Sequence, residues 1–304
     1  EAEKMAFSTD FDIVLEKLSA CAEMLAVLMS GRNFPAQDYY DLRPVLKRLT
    51  IQGTIIELED LGALRASMRT WQAVYEFFRQ APEGLYPVLC SWILTQPFDP
   101  YLLQEADKIL DEKGEIKDSA SETLLDIRRQ RSQKKNLVEK RLRQVYSALK
   151  KEGYTPDEAD ITIRNGRSVI PLPAANKRVI RGFIHDESAS GQTVYMEPEE
   201  VFEINNELRE LEAAERREIL KILALYTDKI RPEIPVLDHG YTLLGQIDFT
   251  RAKAVFARRI RAVLPKIENR PCLDFRQALN PNLYLKELQQ GSRVVPLDIR
   301  LNQQ

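Results

Sequence analysis

The pattern of hydrophobic and polar positions predicts helices over most of the chain. Apolar side chains recur every three or four positions in five early segments: residues 10–30, 39–49, 55–79, 85–95 and 101–110. This period is that of an amphipathic helix, and a helix with an apolar stripe must bury it against neighbours. We therefore expect a mainly α protein in which residues 1–112 form a helical bundle core.

Two longer helical patterns follow, one on each side of a short section with strand character. The first runs from about Ser119 to Lys151. The second begins at Glu199 and contains no Gly or Pro until Pro232, so we expect it to end near Ile230. We divide the rest of the chain into an outgoing helix, a β section, a returning helix and a return to the core, at residues 113–152, 153–198, 199–230 and 231–304. A further helix is expected from Tyr241 to Ala262.

The β section alternates apolar and polar residues over four short runs. Residues 160–164 and 167–171 flank Asn165-Gly166, a dipeptide typical of a two-residue hairpin turn. Residues 178–184 and 193–196 flank a turn rich in small and polar residues. We expect four antiparallel strands in meander order.

The two long helices leave and re-enter the same β section, so they should lie antiparallel. Their apolar positions follow the spacing of three and four that defines a coiled-coil seam. The seam positions are Leu124, Val138, Leu142, Val145 and Leu149 on the outgoing helix and Val201, Ile204, Leu208, Leu211, Ile222 and Leu225 on the returning one. If Leu149 faces Val201, then Lys135 faces Glu215 where both helices interrupt the seam. We predict the Lys135–Glu215 pair to within about one helical turn.

Charge divides unevenly between the two helices, although the net charge of the chain is only −2. The outgoing helix is basic, whereas the stretch from Glu197 to Lys221, which covers most of the returning helix, contains nine glutamates. The basic residues of the outgoing helix either pair with those glutamates or contact nucleic acid; the candidates for contact are Arg128, Arg129, Arg131 and Lys134. The β section is also basic, and its candidates for phosphate contact, or for ordinary exposed charge at sheet edges, are Arg164, Arg167, Lys177, Arg178 and Arg181.

The sequence offers little for catalysis. It has no GxxxxGK[ST] or GxGxxG motif, and its two histidines and three scattered cysteines do not suggest a metal site or disulfides. A hydrolase triad is disfavoured for His185, Asp186, Ser188, Ser190 and Gly191, because these residues fall within one tight turn. We expect them to stabilise that turn. No signal peptide or membrane-spanning run is present, so a cytoplasmic protein is expected.

One region of about sixty residues resembles the type-two branch of the MutS family. The matching motifs are GRSVIP from Gly166, GFIHDESASGQT from Gly182, Glu197-Pro198, NNEL from Asn205 and ERREI from Glu215. IDFTRAKAVFA from Ile247 is similar to a further family helix, and LNPNLYL with VVPLDI resembles the segment that leads into the family's ATPase domain. The chain has Asn280 where the family usually has histidine before the proline.

The resemblance implies the identity of each region. The bundle would be the core domain, the helix pair a lever, and the β section a clamp at its tip. Both chain ends look cut, and an ATPase domain using ATP and Mg²⁺ and a small nuclease domain would follow Gln304, so no cofactor is expected within these residues. The family acts as homodimers on branched or displaced-strand DNA in recombination suppression, within a wider mismatch repair family, and some members act on collided ribosomes.

Two functions remain open from the sequence. The first is a non-catalytic lever and clamp that binds branched DNA by shape and charge. The alternative is a mechanical or protein-interaction module that contacts a ribosome or a second protomer. Unpaired arginines and lysines lining one groove would favour nucleic acid, whereas the same residues paired with glutamates would favour the alternative.

Overall fold

The computed structural model describes residues 6–35, 38–155, 160–290 and 293–302, and it is 59% helical. The expected mainly α class, with a small antiparallel sheet at the end of a long helix pair, is confirmed. The chain forms two compact units. The first contains residues 1–54, 59–104 and 229–304, and the second contains residues 55–58 and 105–228. The domain division made from the sequence stays a prediction.

Short helices build the first unit, and the structure shortens several of the predicted ones. They are α1 (Phe11–Met29), α2 (Arg43–Leu49), α3 (Leu58–Arg79), α4 (Pro87–Leu94) and the beginning of α5 (Tyr101–Ile109), whose residues after Gln104 belong to the second unit. Asp10 begins α1, where its carboxylate accepts hydrogen bonds from the backbone N–H groups of Asp12 and Ile13. Phe34, Phe78 and Tyr86 pack edge to face in the core, so these aromatic residues are structural.

The second unit contains helix α6 (Glu122–Lys151), four strands and the start of helix α7 (Glu199–Arg259). The strands are β1 (Thr162–Arg164), β2 (Arg167–Pro173), β3 (Gly182–Glu187) and β4 (Thr193–Pro198). The Asn165-Gly166 hairpin is confirmed, because both residues take the positive φ of a type I′ turn, 51° and 73°.

The predicted meander order of the strands is wrong. The sheet order is β1-β2-β4-β3, so β2 pairs with β4 rather than with β3. Residues 174–181 form a 3₁₀ turn and a loop instead of a tight hairpin. This connection is long enough to take the chain past the position of β4, and β3 then pairs along the far edge of β4.

Helix α7 does not end at Pro232, as the sequence suggested, but continues to Arg259 and includes the helix predicted from Tyr241. A proline inside a helix removes one hydrogen bond and costs about 3 kcal/mol. Tertiary contacts offset this cost here. Ile230 and Leu237 are buried, and the Arg231 guanidinium donates to the carbonyls of Leu49 and Thr54.

The antiparallel packing of α6 against the first half of α7 follows the predicted seam. Leu124, Val138, Leu142 and Leu149 of α6 are buried, and the last three pack with Val201 and with the inner face of the sheet. The predicted seam position Leu225 is wrong, because this side chain is 56% exposed. Glu215 pairs with Arg128 and Arg131 rather than with Lys135, and Arg131 lies about one helical turn from Lys135, which is the tolerance given to that prediction.

The last elements of the chain are β5 (Cys272–Ala278), α8 (Pro281–Gln290) and β6 (Leu297–Asn302), and β5 pairs antiparallel with β6. The Asn280 side chain accepts hydrogen bonds from the N–H groups of Asn282 and Leu283, so the residue that departs from the family pattern caps α8. Over the described residues, no helix is long and apolar enough to cross a membrane.

Candidate nucleic-acid interface

The centre of the β clamp (residues 153–198) is a buried carboxylate. Glu197, at the end of β4, has 0% exposure. Its oxygens accept hydrogen bonds from Arg167 at 2.7 and 2.8 Å and from the Asn205 amide at 2.6 Å, and His185 Nε2 lies 2.6 Å from Oε2. A buried charge must be paired and hydrogen-bonded to be tolerated, and this one has partners on every side. We call these four residues, with Asn206, the Glu197 network.

The network joins the sheet to the beginning of α7. Arg167 begins β2, and its second guanidinium nitrogen donates to the Asn206 side chain at 2.6 Å. Its guanidinium also lies over the Phe202 ring, 5.3 Å from the centroid. Asn205 and Asn206 are poor helix formers, and these contacts account for their presence in the first turns of α7.

His185 reaches Glu197 because β3 is irregular at that point. The register shifts between Ile184 and Asp186, so His185 is an extra residue opposite β4. A bulge of this kind re-aims a side chain, here towards the buried carboxylate. At the start of the same strand, Gly182 lies so close to β4 that an added Cβ would stand 2.2 Å from the Glu197 carbonyl oxygen.

Local hydrogen bonds connect the residues of the polar turn between β3 and β4, and its structural role stays a prediction. The Ser188 hydroxyl accepts from the Thr193 N–H at 3.0 Å and lies 3.4 Å from the Ser190 hydroxyl. Gly191 has φ 67° and donates its N–H to the Ser188 carbonyl. Asp186 pairs with Arg164 across the tip. These hydroxyls hold the turn, and within the described residues none of their hydrogen-bond partners is a base that would activate them.

Most of the basic candidates on α6 are engaged with carboxylates. Arg128 contacts Glu215 and Asp118, and Lys134 pairs with Glu207. Burial opposes the charged form of Arg128, but hydrogen bonds to Asp118 and Glu215 outweigh it and raise the pKa of the guanidinium. Arg129 is exposed and has no ion pair among the residues that the structure describes.

The basic candidates of the clamp divide into two groups. Arg164 pairs with Asp186 and lies over the Tyr195 ring at 4.3 Å, and Arg167 is buried in the Glu197 network. By contrast Lys177, Arg178 and Arg181 are exposed, and none of them has a carboxylate partner within the described ranges. We call these last three residues the cationic loop.

Backbone contacts fix both ends of the cationic loop. Asn176 donates its side-chain amide to the Tyr154 carbonyl, just beyond the end of α6. The Arg181 carbonyl accepts from the N–H of Glu199, the first residue of α7, at 3.0 Å. The three cations are therefore presented by a segment whose ends are held at the termini of the two long helices.

Sequence reasoning missed Glu197 as the organising residue, since it stands in an ordinary acidic run. The signal that could have found it is the pair Asn205-Asn206 inside a helix, eight and nine residues later. Across the described part of the chain, no group of His, Cys, Asp and Glu side chains could hold a metal ion.

No family model matches the chain. It is 32% identical over 303 residues to the Endonuclease MutS2 of Geobacillus sp. (strain WCH70), an alignment covering 99% of the chain and 38% of that protein. It is 33% identical to the Endonuclease MutS2 of Pelotomaculum thermopropionicum, over 95% of the chain and 35% of that protein. The protein of that name from Lactobacillus acidophilus is 32% identical, over 99% of the chain and 37% of its own length.

The chain thus spans less than two thirds of these relatives. Nearly the whole chain is similar to proteins that are all named Endonuclease MutS2. This similarity agrees with the family motifs around Gly166, Gly182 and Asn205. The chain is homologous to a segment of the MutS2 proteins, the type-two branch of the MutS family.

Proposed function

We propose that this chain is the DNA-binding core and clamp of a type-two MutS-like protein, which engages branched DNA by shape and charge. The observation that supports this most directly is the cationic loop. This loop presents three cations without carboxylate partners on a segment that is fixed at both ends. Such cations are suited to contact phosphate oxygens, which are the same in every sequence, rather than to recognise particular bases.

The basic residues that already have carboxylate partners and those that have none would serve different roles in the proposed interface. Arg128, Arg131, Lys134, Arg164 and Arg167 all have carboxylate partners, and a cation already paired offers little extra attraction to a phosphate. We assign phosphate contact to the cationic loop and to Arg129. The paired residues would instead hold the helices and the sheet in position.

We extend the proposal to the longer protein from the family resemblance and from the relatives' name. They are called endonucleases, and the chain spans at most 38% of the three compared. In the longer protein, a homodimer driven by ATP and Mg²⁺ would close the clamps around DNA, with nucleotide and nuclease chemistry outside these residues. Here the clamp would bind and orient the DNA.

The test is binding of the chain to a four-way junction, a linear duplex and a single strand across a salt series. A variant with Lys177, Arg178 and Arg181 changed to Ala removes the cationic loop. If each residue neutralises one phosphate, the slope of log affinity against log salt falls by about 2.7 for duplex, or about 2.1 for a single strand. A charge-matched control changes Arg32, Arg258 and Arg259, three exposed cations of the first unit, to Ala.

Unchanged affinity and slope in the loop variant would contradict the proposed contact. A protein-interaction function is the second candidate, because the glutamates of α7 neutralise three of the four basic candidates on α6. It is favoured if the wild-type chain binds none of the three DNAs at low salt.

A further inference from the structure

A half-exposed phenylalanine lies beside the cationic loop. Phe183, the second residue of β3, is 50% exposed. Its ring centroid lies 4.5 Å from that of Phe202 on α7, with an angle of 32° between the two planes. Phe202 therefore covers one part of the ring and fixes its orientation, while the remainder faces solvent.

The charges around this ring are arranged to favour a polyanion. Arg181 is two residues before Phe183, at the end of the cationic loop. Phe183 is paired across the strands with Glu197, but that carboxylate is buried and compensated by Arg167. Besides Asp186, which pairs with Arg164, the carboxylates nearest to the two rings in the sequence are Glu187 on β3 and Glu199, Glu200 and Glu203 on α7, whereas the three cations of the loop directly precede Phe183.

An oriented aromatic ring beside unpaired cations is the arrangement that binds single-stranded nucleic acid. Unpaired bases stack on the ring while the cations follow the phosphates, and any base can do so because every base has a π face. A duplex offers no such contact, because its bases are stacked on each other. An exposed phenylalanine would then contribute nothing to the affinity for a duplex.

We propose that Phe183 is a base-stacking platform and that the clamp tip takes a single-stranded segment of DNA. The phosphates of that segment contact Lys177, Arg178 and Arg181, and one unpaired base stacks on the exposed part of the Phe183 ring. This inference rests on the proposed DNA-binding function and specifies which part of a branched DNA the clamp holds.

The competing explanation is that Phe183 serves only to pack β3 against α7. Replacement by Leu separates the two roles, because Leu keeps apolar contact with Phe202 but has no π face. Phe183→Tyr keeps the ring and should restore binding. Phe275→Leu is the matched control, since Phe275 is 48% exposed on strand β5 of the other unit.

The experiment measures affinity for oligo(dT) and for a duplex of the same length across a salt series. We expect Phe183→Leu to weaken oligo(dT) binding by about 5- to 100-fold, the range of one base–aromatic stack. Its salt slope should stay that of the wild type, because no charge is removed. Duplex affinity should not change, and Phe275→Leu should affect neither DNA.

Any other result would contradict either the stacking platform at Phe183 or the DNA-binding function itself. Equal loss for both DNAs, or no loss for oligo(dT), would overturn the stacking platform while leaving the cationic loop as the DNA contact. A wild-type chain that binds neither DNA at low salt would overturn the proposed function itself, and the platform with it.

Discussion

Replacing Glu197, on β4, by Gln should destabilise the second unit more than an exposed charge substitution on the adjoining helix pair. The substitution keeps the size of the side chain but removes its charge. Arg167, whose side chain is only 9% exposed, is then left as a buried cation without its counter-ion. Removing one partner of a buried ion pair typically costs 3–5 kcal/mol. Because Gln still accepts hydrogen bonds, we expect about 3 kcal/mol here.

The matched control is Glu207→Gln. Glu207 also forms an ion pair with the opposite helix, through Lys134, but the two side chains are 47% and 37% exposed. Exposed pairs contribute about 0–1 kcal/mol. The assay is urea denaturation followed by far-ultraviolet circular dichroism. Tryptophan fluorescence supplies an internal reference, because Trp71 and Trp92 both belong to the first unit.

The reasoning would be refuted if Glu197→Gln and Glu207→Gln lowered the free energy of unfolding equally. A further check is the double variant Arg167→Met with Glu197→Gln, which removes both charges. It should be more stable than Glu197→Gln alone, because no uncompensated buried charge remains. A double variant that is less stable by the sum of the two single effects would mean that the residues do not interact.

Two further predictions test other parts of the structure. Gly182→Ala should lower the free energy of unfolding by more than about 1 kcal/mol, the cost of overpacking, because the added Cβ would lie 2.2 Å from the Glu197 carbonyl oxygen. The control is Gly62→Ala on α3, where an added Cβ has no neighbour within 4 Å and should not lower the free energy of unfolding in the same denaturation assay. Burial, with Asp41 nearby, raises the pKa of Tyr241 from 10.0 to about 12. The contribution of the neutral phenol to the free energy of unfolding is therefore complete below pH 10 and is lost as the pH rises towards 12. Thermal unfolding from pH 8 to pH 12 should therefore show a smaller alkaline loss for Tyr241→Phe than for the wild type, and an identical loss would contradict the assignment.

The features that the sequence predicts well are those set by local rules. The Asn165-Gly166 turn follows from the φ angles that these residues tolerate. The buried positions Val138, Leu142 and Leu149 follow from a spacing that only a helix seam satisfies. Each depends on residues that are neighbours along the chain.

The features that it predicts badly depend on distant residues. Helix α7 passes Pro232 because Arg231 finds carbonyl partners that lie far away in the sequence. The strand order depends on how far residues 174–181 reach. The partner of Glu215 depends on the register between two helices that are distant in the sequence, and it is Arg131 instead of Lys135. All three residues of the cationic loop could be named from their charge, but only the structure distinguishes them from equally basic residues that are already paired.

The Glu197 network also has a consequence for the evolution of the sequence. Glu197, Arg167, His185 and Asn205 lie on four different elements, and each satisfies a partner that water cannot reach. A mutation at one of these positions leaves the others mismatched, so an intermediate with a single change should be destabilised. We therefore expect these four residues to change together or not at all among related proteins. The residues on the exposed surface of the clamp should vary independently of them.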